Sequence, residues 1–228
     1  MCSAPERDNQ STICTVNADG TNQKQIDLEY SSYEPAISPH GGKIIFVSQK
    51  GYDQNLFLMD FNGDNLRQIT FDTTGANLCP VWSYDGKKIA FSRYNGGSKW
   101  SLIIMNANGT EKKVVTNRFG PYFDVAFSLD GKKLAFVSVH TKPDGAGESY
   151  HEIPTVDLVD GKHKLLLRQF GFFLGLCFSP DGTRIVFQHS DQEIASLFTM
   201  RADGSDIKRL IKDDGFRPSW GNASAPRQ

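Results

Sequence analysis

Glu34, Asp124 and Arg217 are the charged residues best placed to do chemistry, because each stands at the same position of a recurring apolar segment. Aligned on that segment, Glu34, Cys79, Asp124, Gly175 and Arg217 share one register. Two carboxylates and a guanidinium gathered at a narrow opening can grip a cation, a sugar or a peptide end. A carboxylate pair on inner strands can also exchange protons with a substrate. The plainer role is electrostatic: Arg217 pairing with Glu34 or Asp124 across a water-filled channel.

The segments that must position these residues alternate large and small side chains. Tyr33, Pro35 and Ile37 form one large set, with Phe123, Val125 and Phe127 as its counterpart further on. Strand geometry predicts that these face away from the small set of Glu34, Cys79, Asp124, Gly175 and Arg217, which suits a crowded axis. Each segment leads into one phrase: SPHGGKIIF from Ser38, SYDGKKIAF from Ser83, SLDGKKLAF from Ser128 and SPDGTRIVF from Ser179. The recurrence is about 45 to 51 residues, in the range of propeller blades. A second phrase follows each, as in LFLMDFNGDNLRQIT; one more copy of it, ICTVNADGTNQKQI from Ile13, opens the chain, and a fifth copy of the strand before the first phrase, FRPSWG from Phe216, closes it.

Each full unit contains four short β runs separated by turn formers. Asp85-Gly86, Asp130-Gly131 and Asp181-Gly182 suit tight hairpins, since Asp and Gly tolerate the positive φ that such turns demand. The predicted fold is all-β: a β-propeller of about five four-stranded blades forming one domain over 1–228. The last blade is expected to take its inner strand from Phe216 to Trp220 and its outer strands from Thr12 to Ile26, closing the ring and removing open edges.

The phrases resemble the TolB-type repeat, a WD40-like propeller repeat that reads roughly P-x-W-S-P-D-G-K-x-I-A-F, then I-Y-V-M-N-x-D-G and L-T. PVWSYDGKKIAF from Pro80 and TVNADGTNQKQI from Thr15 follow it closely, and the likeness runs from Thr12 to Gly221. The Gly-His and Trp-Asp dipeptides of true WD40 repeats do not occur. Two positions depart: His40 replaces the turn Asp, and WGNAS lacks Asp-Gly. The resemblance implies an extracytoplasmic, periplasmic location. TolB proteins also carry an α/β domain and bind a peptidoglycan-associated lipoprotein; no such domain is visible in this sequence.

The segments leading into the inner strands are rich in aromatics: Tyr30, Phe71, Phe119, Tyr122 and the run Phe170, Phe172 and Phe173, besides Tyr33 and Phe123 at the strand starts. Aromatic clusters on a surface mark recognition, because they supply contact area at low entropic cost. The insertion SVHTKPDGAGESYHEIP from Ser138 reads as a polar protruding hairpin. His140, Asp144, Glu148, His151 and Glu152 invite a metal, yet their spacing fits no standard site, so neither metal nor cofactor is expected.

Other classes recede. Lys+Arg 25 nearly cancels Asp+Glu 26, leaving no field to hold nucleic acid. No apolar run approaches the roughly 20 residues of a membrane helix, and MCSAPERDNQ lacks a signal-peptide pattern. G-x-S-x-G, P-loop and H-E-x-x-H motifs do not occur. The function read from the sequence is a monomeric, non-catalytic scaffold that binds a protein segment or glycan through Glu34, Cys79, Asp124, Arg217 and the aromatics Tyr33, Tyr122, Phe123, Phe172 and Phe173. The alternative is a small propeller lyase or hydrolase using Glu34, Asp124 and Arg217.

Overall fold

The computed structural model describes residues 11–97, 99–117, 122–141, 149–190, 195–212 and 218. Every helix or strand among them is a strand, and no helix is long and apolar enough to cross a membrane. The chain falls into two compact units, Met1–Val114 and Val115–Gln228.

The first unit opens with a hairpin of β1 (Cys14–Thr15) and β2 (Lys24–Gln25). A meander follows, β3 (Ser31–Ile37), β4 (Lys43–Lys50), β5 (Asp53–Asp60) and β6 (Arg67–Gln68). The next is β7 (Ala76–Trp82), β8 (Lys88–Tyr94), β9 (Trp100–Asn106) and β10 (Lys113–Thr116). The second unit repeats this twice. One meander is β11 (Tyr122–Phe127), β12 (Lys133–Thr141), β13 (Ser149–Asp157) and β14 (His163–Phe170). The other is β15 (Phe172–Phe178), β16 (Arg184–Ser190), β17 (Ala195–Arg201) and β18 (Lys208–Lys212).

The second strand of each meander reads as a continuous apolar run because both its faces are covered. On β4, Ile44 and Phe46 pack with Ile13, Ile26 and Met59, whereas Ile45 and Val47 pack with Ile89, Phe91 and Met105 of the next meander. Alternation on a strand sends neighbouring residues to opposite faces, so KIIFV seals two layers at once. In the second unit Ala135, Val137 and Ile153 meet Phe173, Ile185 and Phe187 in the same way.

The repeated Ser-x-Asp-Gly phrase is a turn lock. Asp85 accepts the Ser83 hydroxyl at 2.6 Å and the Lys87 N–H at 3.0 Å, while Ser83 accepts the Lys88 N–H at 2.9 Å. Asp130 and Asp181 make the same contacts with Ser128 and Ser179. These bonds favour the carboxylate form. The Ser179 hydroxyl, then the Thr183 N–H and hydroxyl, hold Asp181 down at about 2.

The strict two-face reading of the inner strands needs correction. Each of the four described ones carries a β-bulge, with the pairing slipping between Tyr33 and Ala36, Leu78 and Val81, Phe123 and Ala126, and Leu174 and Cys177. One extra residue breaks the period of two, so Tyr33 and Ala36 share a face that Tyr33 and Pro35 were expected to share. The left-handed residue of each bulge is Glu34, Cys79, Asp124 or Gly175, at φ 53, 52, 45 and 63. The shared register seen in the sequence is therefore a backbone feature. The proposed inner strand Phe216 to Trp220 lies outside the described residues apart from Pro218. Among the described residues β1 and β2 pair only with each other.

Candidate functional site

The bulge explains what Glu34 does. A bulge takes a backbone N–H out of the ladder, and in β7 that donor is the N–H of Cys79. Glu34 Oε2 accepts it at 2.6 Å, and Oε1 lies 3.9 Å from Cys79 Sγ. A carboxylate on a backbone N–H is a charge-assisted bond, stronger than a neutral one. Glu34 thus ties the first meander to the second across the bulge register. Beside it, Tyr33 is half-buried and packs on the Ile45 and Val47 layer. Burial first, and the Glu34 charge second, push its hydroxyl up to about 12.

In the second unit Asp124 holds the matching bulge position and Gly175 the one after it. Tyr122 and Phe123 are the first residues of β11. Arg217 lies outside the described residues. Of the sequence-predicted charges and thiol, then, Glu34 and Cys79 are brought together within one unit.

The lead-in aromatics divide. Phe71 is 71% exposed, Phe170 58% and Phe172 54%. Phe173 is 1% exposed, which removes it from the recognition surface expected for it. Successive strand residues point to opposite faces, so Phe172 and Phe173 cannot both look outward. Phe173 instead packs edge-on against Phe187, with ring centroids 5.6 Å apart. Gly171 makes the turn between β14 and β15 possible. Its φ is +94°, and a Cβ there would sit 2.1 Å from the Ser190 carbonyl oxygen. Gly75, leading into β7, is pinned in the same way by the Tyr94 carbonyl.

A charged constellation that the sequence reading did not assemble stands at the same end of the second unit. Glu152, only 3% exposed, takes Arg168 Nε at 2.6 Å and Nη2 at 2.5 Å on Oε1, and meets His140 Nε2 at 3.2 Å with Oε2. A buried carboxylate must be paired to be tolerated, and here it has two partners. Tyr150 stacks on His140 with centroids 5.1 Å apart, and Arg168 lies over the Tyr150 ring at 5.0 Å. His151 is buried, accepts the Phe173 N–H on Nδ1 at 3.4 Å and meets the Phe172 ring edge-on at 5.0 Å. Burial, then the neighbouring His189 and His140, lower its pKa, so it stays neutral. His189 Nε2 lies 2.8 Å from the Phe170 carbonyl, which can only accept, so that nitrogen carries the proton.

The described part of the insertion is strand. His140, His151 and Glu152 lie on β12 and β13, which remain paired out to Thr141 and Ser149. Asp144 and Glu148 lie outside the described residues. The available signal was register: Ser138 opposes Glu152, and Glu152 opposes Arg168.

No protein-family model matches the chain. A TolB homologue from Chlorobium chlorochromatii is 30% identical over 150 residues, covering 66% of this chain and 32% of that protein. The solved structure of a putative TolB from Agrobacterium tumefaciens superposes with a TM-score of 0.72 at 21% identity, covering 89% of this chain and 70% of that one. TolB from Acinetobacter baumannii gives 0.73 at 22%, covering 91% and 50%. This chain has a TolB-like β-propeller fold and is a sequence relative of TolB proteins. It spans about a third of the length of the Chlorobium homologue. The same fold is shared at 16% identity with an oligogalacturonate lyase in complex with manganese, with a TM-score of 0.65 over 89% of this chain and 60% of that one. Enzymes thus stand among the TolB-like propeller's distant structural neighbours.

Proposed function

We propose that the chain is a single, monomeric, non-catalytic propeller of about five blades that binds a protein segment or a glycan at the aromatic-rich strand-entering ends of its blades. The observation that carries this reading is Phe172, a large apolar ring left half-exposed on a strand whose next residue is fully buried. Exposed aromatics held on rigid elements supply binding area with little entropy left to lose. Phe170 extends the surface, and the Arg168, Tyr150 and His140 stack gives it a polar rim. The extracytoplasmic location implied by the TolB resemblance belongs with this reading.

The catalytic alternative is less well supported at Glu34. Its carboxylate already accepts the Cys79 N–H, which restricts its use as a free acid or base. The reading is tested by screening immobilised peptide and neutral-glycan libraries with the wild type and with Phe172→Ser. Ligands captured by the wild type should lose about 2 kcal/mol or more in the variant, with the melting temperature unchanged. Equal capture by both proteins would contradict it.

A further inference from the structure

A cleft at the other end of the first unit's strands is lined by Ser38, His40, Lys43, Arg67, Trp82 and Asp85 and encloses about 400 Å³. The second unit holds a matching cleft of about 350 Å³, and the comparison shows what is special about the first. In the second, Asp130 and Asp181 face one cation, Lys133, and both carboxylates belong to turn locks. In the first, the place of Asp130 is taken by His40, so Asp85 alone faces Lys43 and Arg67. The excess of carboxylate is gone. Lys43 is partnered by Asp60 at 2.8 Å, but among the described residues no carboxylate pairs with Arg67, whose Nη1 reaches the Asn108 carbonyl at 3.4 Å.

The apolar wall changes too. Phe178 is buried in the second cleft, whereas Trp82 in the first is only half-buried. Trp82 Nε1 donates to the Ala36 carbonyl at 3.0 Å, which fixes the indole in place. Leu129 closes on Gly182 in the second cleft, 3.2 Å from where a Cβ would stand; at Gly86 the nearest atoms, of Pro39 and His40, are 3.8 Å away.

We propose that this first cleft binds an acidic monosaccharide. A single carboxylate would meet Arg67, the C–H face of the ring would lie on Trp82, and hydroxyls would exchange hydrogen bonds with Ser38 and Asp85. Pockets that combine one aromatic wall with a few convergent polar groups are suited to small polar ligands. Asp85 limits the ligand to one anionic group by repelling a second. The site is separate from the aromatic ends of the blades and does not depend on the reading given for them.

The experiment is calorimetric titration of the chain with D-glucuronate, D-glucose and inorganic phosphate, repeated on His40→Asp and Arg67→Gln. His40→Asp restores the residue that the other three turns carry, so it should fold normally. Saturable binding of glucuronate is expected, with neither glucose nor phosphate binding. Each substitution should weaken it by about tenfold or more, the scale of one lost charge-assisted hydrogen bond, at an unchanged melting temperature. The proposal is overturned if glucuronate does not bind, if glucose or phosphate binds as tightly, or if neither substitution alters the affinity.

Discussion

In the first unit the charged residue of the bulge register, Glu34, is bound to the Cys79 N–H, and the first turn lacks its Asp. In the second unit a glycine stands at the later bulge, both turns keep their Asp locks, and the buried charge is gathered further out, at Glu152, Arg168 and His140. The backbone plan is the same in both. The difference shows that the repeat specifies bulges, turns and layers, while the side chains at a few register positions are free to carry different chemistry.

The sharpest way to test the second unit's division of labour is at two adjacent residues. Phe173→Ala should destabilise the fold by about 3–5 kcal/mol, the usual cost of truncating a core aromatic. Phe172→Ala should stay within about 1 kcal/mol, as exposed substitutions do. Denaturant titrations of the two variants measure the contrast, and equal losses would erase it.

The first unit's bulge tie should matter less, but measurably. Glu34→Ala removes the side-chain acceptor of an exposed Cys79 N–H, where water can stand in, and should cost about 0.5–1.5 kcal/mol; Glu34→Gln, which keeps an acceptor, should recover most of it. Equal losses in the two variants would show that the contact at 2.6 Å is incidental.

Because both units use the left-handed bulge, one register should give opposite signs. Cys79→Gly relieves a strained φ of 52° and should stabilise by about 1 kcal/mol. Gly175→Ala imposes that strain and should destabilise by a similar amount. Chemical denaturation of both proteins checks the pair.

The smallest effect is on the acid side. The folded-state pKa of Asp181 is depressed, from an ordinary 3.8 to about 2. Its contribution is therefore present above pH 4 and is lost as pH falls towards 2. Melting curves of the wild type and Asp181→Asn should converge over that range. The first turn, with His40 in place of Asp, has no such carboxylate to protonate.

Much of the fold was legible because turns and layers depend on local chemistry. Asp85-Gly86 and its copies announced the hairpins, and KIIF-type runs announced strands, though not that both their faces would be covered. The bulges were hidden, since an extra residue in a ladder is invisible until the partner's register is known, and they turned an expected alternation into a left-handed kink at Glu34, Cys79 and Asp124. The aromatic run at Phe170 was visible as a cluster. Which ring faced outward depended on how β15 was phased, and that separated Phe172 from Phe173. Glu152, Arg168 and His140 lie on three successive strands, and the pairing that joins them spans an insertion whose register the sequence does not set.

The most direct test of the account is the strand-entering face itself. Ligands selected from peptide and neutral-glycan libraries by the wild type should be titrated against Phe172→Ser and against His40→Asp, which alters only the far end of the first unit. Loss of about 30-fold or more in affinity for Phe172→Ser, with His40→Asp indistinguishable from wild type, is the predicted result. Full affinity in Phe172→Ser would contradict the claim that this chain recognises its partner through the exposed aromatics of its blades.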